Sequence, residues 1–176
     1  LIEIYITAYG LTIIRHILLE NPIDQNEAFS NAFSYYSRLL IFNLIFIGIT
    51  IIVILLSIVS VLLAPYNLAL LAFNTIFFLI AAIVLSIFLG TIQNYMVYYD
   101  DNISFSIEQG IKIGKRYFFK ILGLLLIATI LGGIVSSKIF KTNIITLSLG
   151  ILIATIYSIY LNIYIMNLCK NWGRVN

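Results

Sequence analysis

Residues 39–64 read LLIFNLIFIGITIIVILLSIVSVLLA. The stretch carries no charge, and Asn43 is its only strongly polar side chain. A helix of this length measures about 39 Å at a rise of 1.5 Å per residue. That exceeds the hydrocarbon thickness of a bilayer, about 30 Å, so the run predicts a membrane-spanning helix.

Its surroundings repeat the message. Pro65-Tyr66-Asn67 turns the chain in very few residues. Residues 39–64 and the next apolar run, 68–97, are therefore expected to form an antiparallel hairpin. The latter run is long enough to tilt or to project from the bilayer. Further apolar runs follow at 117–135 and 144–166, joined by a short polar loop at 136–143, and a polar tail runs from Cys169 to the end. Upstream, residues 4–19 are apolar apart from two threonines, Arg15 and His16. They end at Glu20-Asn21-Pro22, which a helix does not cross comfortably. The expectation is an all-α, polytopic membrane bundle of about five spanning helices, forming one membrane domain over residues 1–176.

Composition agrees. Hydrophobic residues make up 62% of the chain and charged residues 10%, against about 25% charged in an average protein, and the mean hydropathy is +1.09. Lys+Arg number 10 and Asp+Glu 7. In a membrane protein this mild excess belongs to cytoplasmic loops, and no nucleic-acid partner is implied. Cys169 is the single cysteine, which excludes an intrachain disulfide and a cysteine-based metal framework. Residues 4–19 lack the basic start of a cleavable signal and run directly into Arg15. Because the first residue is Leu, the first helix is expected to be the end of a longer one or the product of processing.

Two stretches differ from the spans. Over residues 24–37, Ala28, Phe29, Ala32, Phe33 and Tyr36 share one helical face, with Glu27, Ser30, Asn31, Ser34 and Ser37 opposite. Over residues 106–116, Ile107, Gly110, Ile111 and Gly114 oppose Glu108, Lys112, Lys115 and Arg116. Both predict amphipathic helices lying in the interface, each feeding a spanning helix.

The two stretches also resemble each other. At an offset of 82, Asp24 and Glu27 fall on Ser106 and Gln109, two potential N-terminal capping boxes. Ala28 then falls on Gly110, Ala32 on Gly114, Tyr35 on Tyr117, Tyr36 on Phe118, Arg38 on Lys120 and Leu40 on Leu122. Gly10 and Glu20 are spaced like Gly90 and Asp100. We read an internal duplication, with units 1–97 and 98–176 sharing a surface-helix-plus-span pattern at 24–64 and 106–135. Ala28/Ala32 and Gly110/Gly114 are small residues one turn apart, suited to seating the surface helices on the bundle. Gly132-Gly133 suits close packing or a kink.

Five spans put both surface helices on one side with Arg15, Arg38, Lys112, Lys115, Arg116, Lys120, Lys170 and Arg174, leaving Lys138 and Lys141 opposite. The positive-inside rule makes the surface helices and the C-terminus cytoplasmic, in a multi-pass protein of the cell membrane. Tyr35, Tyr36, Tyr95, Tyr98, Tyr99, Tyr117 and Trp172 fall near the same boundary, as an aromatic belt does.

Catalysis needs convergent acids, bases, nucleophiles or metal ligands. The only histidine, His16, sits beside Arg15 and at i,i+4 spacing from Glu20, so these three form a candidate interfacial polar cluster. The favoured role for them is to end a helix, and for Asp100-Asp101 to solvate another. No metalloprotease, phosphate-loop or Cys/His pattern is present, and no catalytic residue, cofactor or metal is expected. Asn43, Asn74, Gln93 and Asn162 lie within spans, where amides more often bond between helices than line a pathway. Tyr157, Tyr160 and Tyr164 form a stripe suited to packing against a neighbouring helix or subunit.

Residues 24–40, and Tyr98-Tyr99-Asp100-Asp101 followed by residues 107–122, give the arrangement a resemblance to a broad group of prokaryotic multi-pass membrane domains of unassigned function. That group includes the membrane domain fused to some glycerophosphodiester phosphodiesterases. The resemblance implies a membrane module. It does not imply phosphodiesterase activity, because the acidic metal ligands and histidines of that hydrolase have no counterpart here. The expected role is a non-catalytic structural or accessory subunit, or a partner-binding module, with the lipid bilayer and other membrane subunits or a second copy as partners. A small transporter or channel is the alternative, and a lipid-active enzyme using His16, Glu20 and Asp100-Asp101 the third.

Overall fold

The computed structural model describes residues 2–22, 24–63, 68–136 and 144–172, in which the chain forms six helices and no strand. These are α1 (Ile2–Leu18), α2 (Gln25–Leu63), α3 (Leu68–Tyr99), α4 (Ile103–Arg116), α5 (Phe118–Ser136) and α6 (Ile144–Trp172). Four of them, α2, α3, α5 and α6, are long and apolar enough to cross a membrane. Side chains such as Ile47, Leu55, Ile76, Leu79, Ile130 and Ile156 are more than half exposed along them. Water would penalise so much apolar surface, whereas acyl chains match it. The chain is a multi-pass helical membrane protein. The expected turn at Pro65-Tyr66-Asn67, the loop with Lys138 and Lys141, and Arg174 lie outside the described residues.

Polar contacts set the register. Gln93 donates to Asn43 at 3.4 Å and Asn74 to the Ser57 carbonyl at 3.3 Å, so α2 and α3 are antiparallel. Asn94 donates to Asn162 at 3.2 Å and the Tyr99 hydroxyl to the Cys169 carbonyl at 3.2 Å, so α3 and α6 are parallel. Gly110 faces Ile92 and Gly114 faces Phe88, which lays α4 antiparallel along the last third of α3. Helix α3 touches every other helix and is the centre of the bundle. The C-terminal ends of α1, α3 and α6 meet at one end: Arg15 reaches the Tyr98 carbonyl, and Lys170 the Leu18 carbonyl.

Buried side chains crowd this polar end. One cluster joins Leu11 and Ile14 of α1 to Tyr35, Leu39 and Phe42 of α2 and Met96 of α3. A second joins Ile87 and Tyr95 of α3 to Ile113 of α4, Ile121 of α5 and Ile165 of α6.

Several expectations need correction. Residues 24–37 are not a separate helix. They are the start of α2, which runs unbroken for 39 residues, because no glycine or proline interrupts the chain between Asp24 and Leu39. Asp24 does cap it, accepting the Asn26 amide at 2.9 Å. The inward stripe is Ala28, Ala32, Tyr35, Leu39 and Phe42, while Phe29 and Phe33 are 60% and 69% exposed. In α4 the cap is Asn102, accepting the Phe105 amide at 2.9 Å. The helix therefore starts a turn before Ser106. Ser106 and Gln109, expected as a capping box, are instead buried in its interior.

Helices α4 and α5 are separated by Tyr117 alone. Backbone bonds from Tyr117 to Ile113 and from Ile121 to Tyr117 carry the hydrogen-bond pattern across it. Gly132 and Gly133 do not make a close contact among the described residues: a Cβ at either would meet nothing within 4 Å.

Candidate functional site

Helix ends decide what gathers at the polar end. After Leu18 the backbone closes with Glu20 at φ 58°, its amide donating to Ile17 at 3.2 Å and the Asn21 amide to His16 at 3.1 Å. This is the Schellman pattern, in which a left-handed residue satisfies the last carbonyls of a helix. Asp100, after α3, has φ 56°. Both turns use acids where glycine is the favoured residue.

The turn at Glu20 overturns the i,i+4 pairing expected of His16 and Glu20, because Glu20 has already left the helix. His16 is buried, with no hydrogen-bond partner for its Nδ1 atom among the described residues, and Glu20 is exposed. Arg15 turns instead to α2 and α3, donating through Nε to the Tyr98 carbonyl at 3.1 Å and through a terminal nitrogen to the Tyr35 hydroxyl.

Arg38 completes this cluster. It donates to the Asp100 carboxylate at 2.7 Å, to the Asp100 carbonyl at 3.3 Å and to the Asp101 carbonyl at 3.1 Å. Both guanidinium groups lie over the Tyr35 ring, Arg15 at 5.9 Å and Arg38 at 5.3 Å from its centre, a cation–π arrangement. Lys170 performs a related task, donating to the Leu18 carbonyl at 3.0 Å. Cations thus sit on the carboxyl ends of α1 and α3, where unpaired carbonyls and the helix dipole favour positive charge. Asp100 is an ion-pair partner as well as a helix end, and no local pattern links it to Arg38, 62 residues away.

The intramembrane amides act between helices. Asn43 donates to the Leu39 carbonyl at 2.7 Å and accepts from Gln93. Asn162 donates to the Ser158 carbonyl at 3.0 Å and accepts from Asn94, a residue that sequence reasoning missed. Neighbours on a helix point about 100° apart, so the Gln93-Asn94 pair reaches α2 with one amide and α6 with the other. That adjacency was the available signal. Of the tyrosine stripe, Tyr157 donates to the Leu124 carbonyl of α5 at 2.9 Å, while Tyr160 is about half exposed.

A groove of about 730 Å³ opens between α1, α6 and the end of α5. Its wall is mainly apolar, with Gly10, Gly132, Thr7, Thr155, Ser158 and Asn162 among its lining. Thr7 and Thr155 donate to carbonyls of their own helices, Glu3 at 2.9 Å and Ile151 at 2.8 Å. No charged side chain of the described residues lines it. Among the described residues, no three His, Cys, Asp or Glu side chains gather as a metal site.

Compared with protein-family models, curated proteins and solved structures, the chain matches none.

Proposed function

We propose that this chain is a non-catalytic module of the cell membrane, a structural or accessory subunit that holds partners within the bilayer. The observation that carries this reading is the use made of its polar side chains. Arg15, Arg38, Asp100, Asn43, Gln93, Asn94 and Asn162 are all spent on bonds between helices or across helix ends. Side chains held in this way stiffen a scaffold. Among the described residues, His16, Glu20 and Asp100 share no hydrogen bond with one another, which argues against a lipid-active enzyme built from them.

The proposal includes α1 as a fifth span, with two amphipathic segments, 24–37 and 103–116, flanking the bundle at its polar end. It also includes an origin by duplication. The left-handed acids Glu20 and Asp100 and the buried pairs Ala28/Ala32 and Gly110/Gly114 support that origin. Seven described cations at the polar end support a cytoplasmic orientation for it.

Gentle extraction followed by sizing and identification of co-purifying chains tests the subunit role. A defined larger assembly, hetero-oligomeric or of identical copies, is the expected result. A chain that migrates as an isolated monomer under every mild detergent overturns it.

Transport is the second reading, and the groove between α1 and α6 is what favours it. The lack of charge among the described residues of its wall weighs against an ion path. Solute or ion flux through proteoliposomes holding the chain alone would reverse the preference.

A further inference from the structure

Two tyrosines at the polar end carry cations on their rings. Tyr35 has Arg15 and Arg38 over it, and Asp100 balances the Arg38 charge at 2.7 Å. Tyr117, at the joint of α4 and α5, has Arg116 at 5.9 Å and Lys120 at 5.6 Å. Arg116 also lies 5.3 Å from the centre of the Trp172 ring, and Trp172 donates to the buried Gln109 at 3.4 Å. Lys115 is the neighbouring exposed cation.

The second site lacks the acid that the first one has. All seven Asp and Glu side chains are in described residues. Asp100 pairs with Arg38, and Glu108 with Lys112 at 2.7 Å. Lys115, Arg116 and Lys120 have no ion-pair partner among the described residues. Like charges drawn to one ring repel unless an anion stands between them, and no described carboxylate pairs with these three.

We propose that the missing anion is the phosphate of an anionic phospholipid, seated over Tyr117 between Arg116, Lys120 and Lys115. Position selects a lipid over other anions. Apolar α5 begins one residue after Tyr117, and Phe119 beside it is 83% exposed. A headgroup at Tyr117 therefore leaves its acyl chains along an apolar wall. Interfacial aromatics and basic residues flanking a membrane helix recognise anionic headgroups in this way. The inference rests on the chain being embedded in a bilayer and is independent of its role as a subunit.

Trp172, the only tryptophan, reports on the site directly. The protein is reconstituted in phosphatidylcholine vesicles containing a minor fraction of either brominated phosphatidylglycerol or brominated phosphatidylcholine, and quenching of its emission is compared. The anionic quencher should be more effective by about two- to three-fold, because basic residues near the surface draw anionic headgroups. Combined Lys115→Gln, Arg116→Gln and Lys120→Gln should bring the ratio to unity with helical content unchanged by circular dichroism. Combined Glu108→Gln and Lys112→Gln, which leaves the net charge unaltered, should preserve it.

Equal quenching in the native protein overturns the inference, as does selectivity that survives the triple change. Loss of selectivity to inorganic phosphate, but not to chloride at matched ionic strength, would also overturn it and indicate a soluble phosphate ligand. If the two lipids quench equally while polyglutamate shifts the emission, the partner is an acidic protein segment. Failure of the chain to enter vesicles at all would instead strike the membrane reading.

Discussion

The α1–α2 and α3–α4 contacts use the same device with different tolerance. Ala28 and Ala32 are fully buried in the first, so one methyl group fits at each position. In the second the equivalent residues are glycines with no room. A Cβ at Gly110 would lie 2.6 Å from Ile92 Cα and 2.9 Å from its nitrogen, and one at Gly114 2.7 Å from the Phe88 ring. Helix α4 therefore rests on the backbone of α3, whereas α2 meets α1 through side chains. The tighter contact belongs to the shorter helix, 14 residues against 39. A short helix with little to bury gains most from close approach.

The most damaging way to break this comparison is Gly110→Ala, since backbone atoms cannot rotate away. We expect a loss of about 3 kcal/mol, read as a lowered midpoint of detergent or thermal unfolding by circular dichroism. Gly114→Ala should cost less, about 1–2 kcal/mol, because the Phe88 ring can turn. Ala28→Gly, the reciprocal change, should lose only about 1 kcal/mol. If Gly110→Ala and Ala28→Gly prove equally mild, the asymmetry between the contacts does not exist.

The helix ends sharpen the contrast. Glu20→Gly relieves a left-handed conformation and removes no described side-chain bond, so a gain of about 0.5–1 kcal/mol is expected. Asp100→Gly should give no net gain. It relieves the same conformation but removes the partly exposed Arg38 pair, worth up to about 1 kcal/mol and less in high salt. Parallel unfolding series at low and high salt separate the two effects. The smallest change expected is Gly133→Ala, stabilising by at most about 0.5–1 kcal/mol through helix propensity alone.

The sequence declared four of its expected spans, α2, α3, α5 and α6, through length and lack of charge. It was also reliable where a local rule applies: Asp24 caps α2, and Glu20-Asn21-Pro22 ends α1. It misled on helix faces. In a soluble helix apolar side chains point inward, but next to lipid they point both ways, so Phe29 and Phe33 could not be told from Ala28 and Ala32 by periodicity. Ser106 looked like a cap because it precedes an amphipathic run, while Asn102, an equally good capping residue, stood one turn earlier. The Arg38–Asp100 pair and the Asn94–Asn162 bond span 62 and 68 residues, and only the assembled bundle brings such partners together.

Burial concentrated at one end of the described residues suggests the mechanics of a clothes-peg. The grip is the cation-capped end, where α1, α3, α4 and α6 lock around buried tyrosine and methionine side chains. The far arms meet mainly lipid, so a thinner or thicker bilayer can be met by changing their tilt. Adjustment of that kind leaves the charged end undisturbed, and the same fold can reside in membranes of unequal depth.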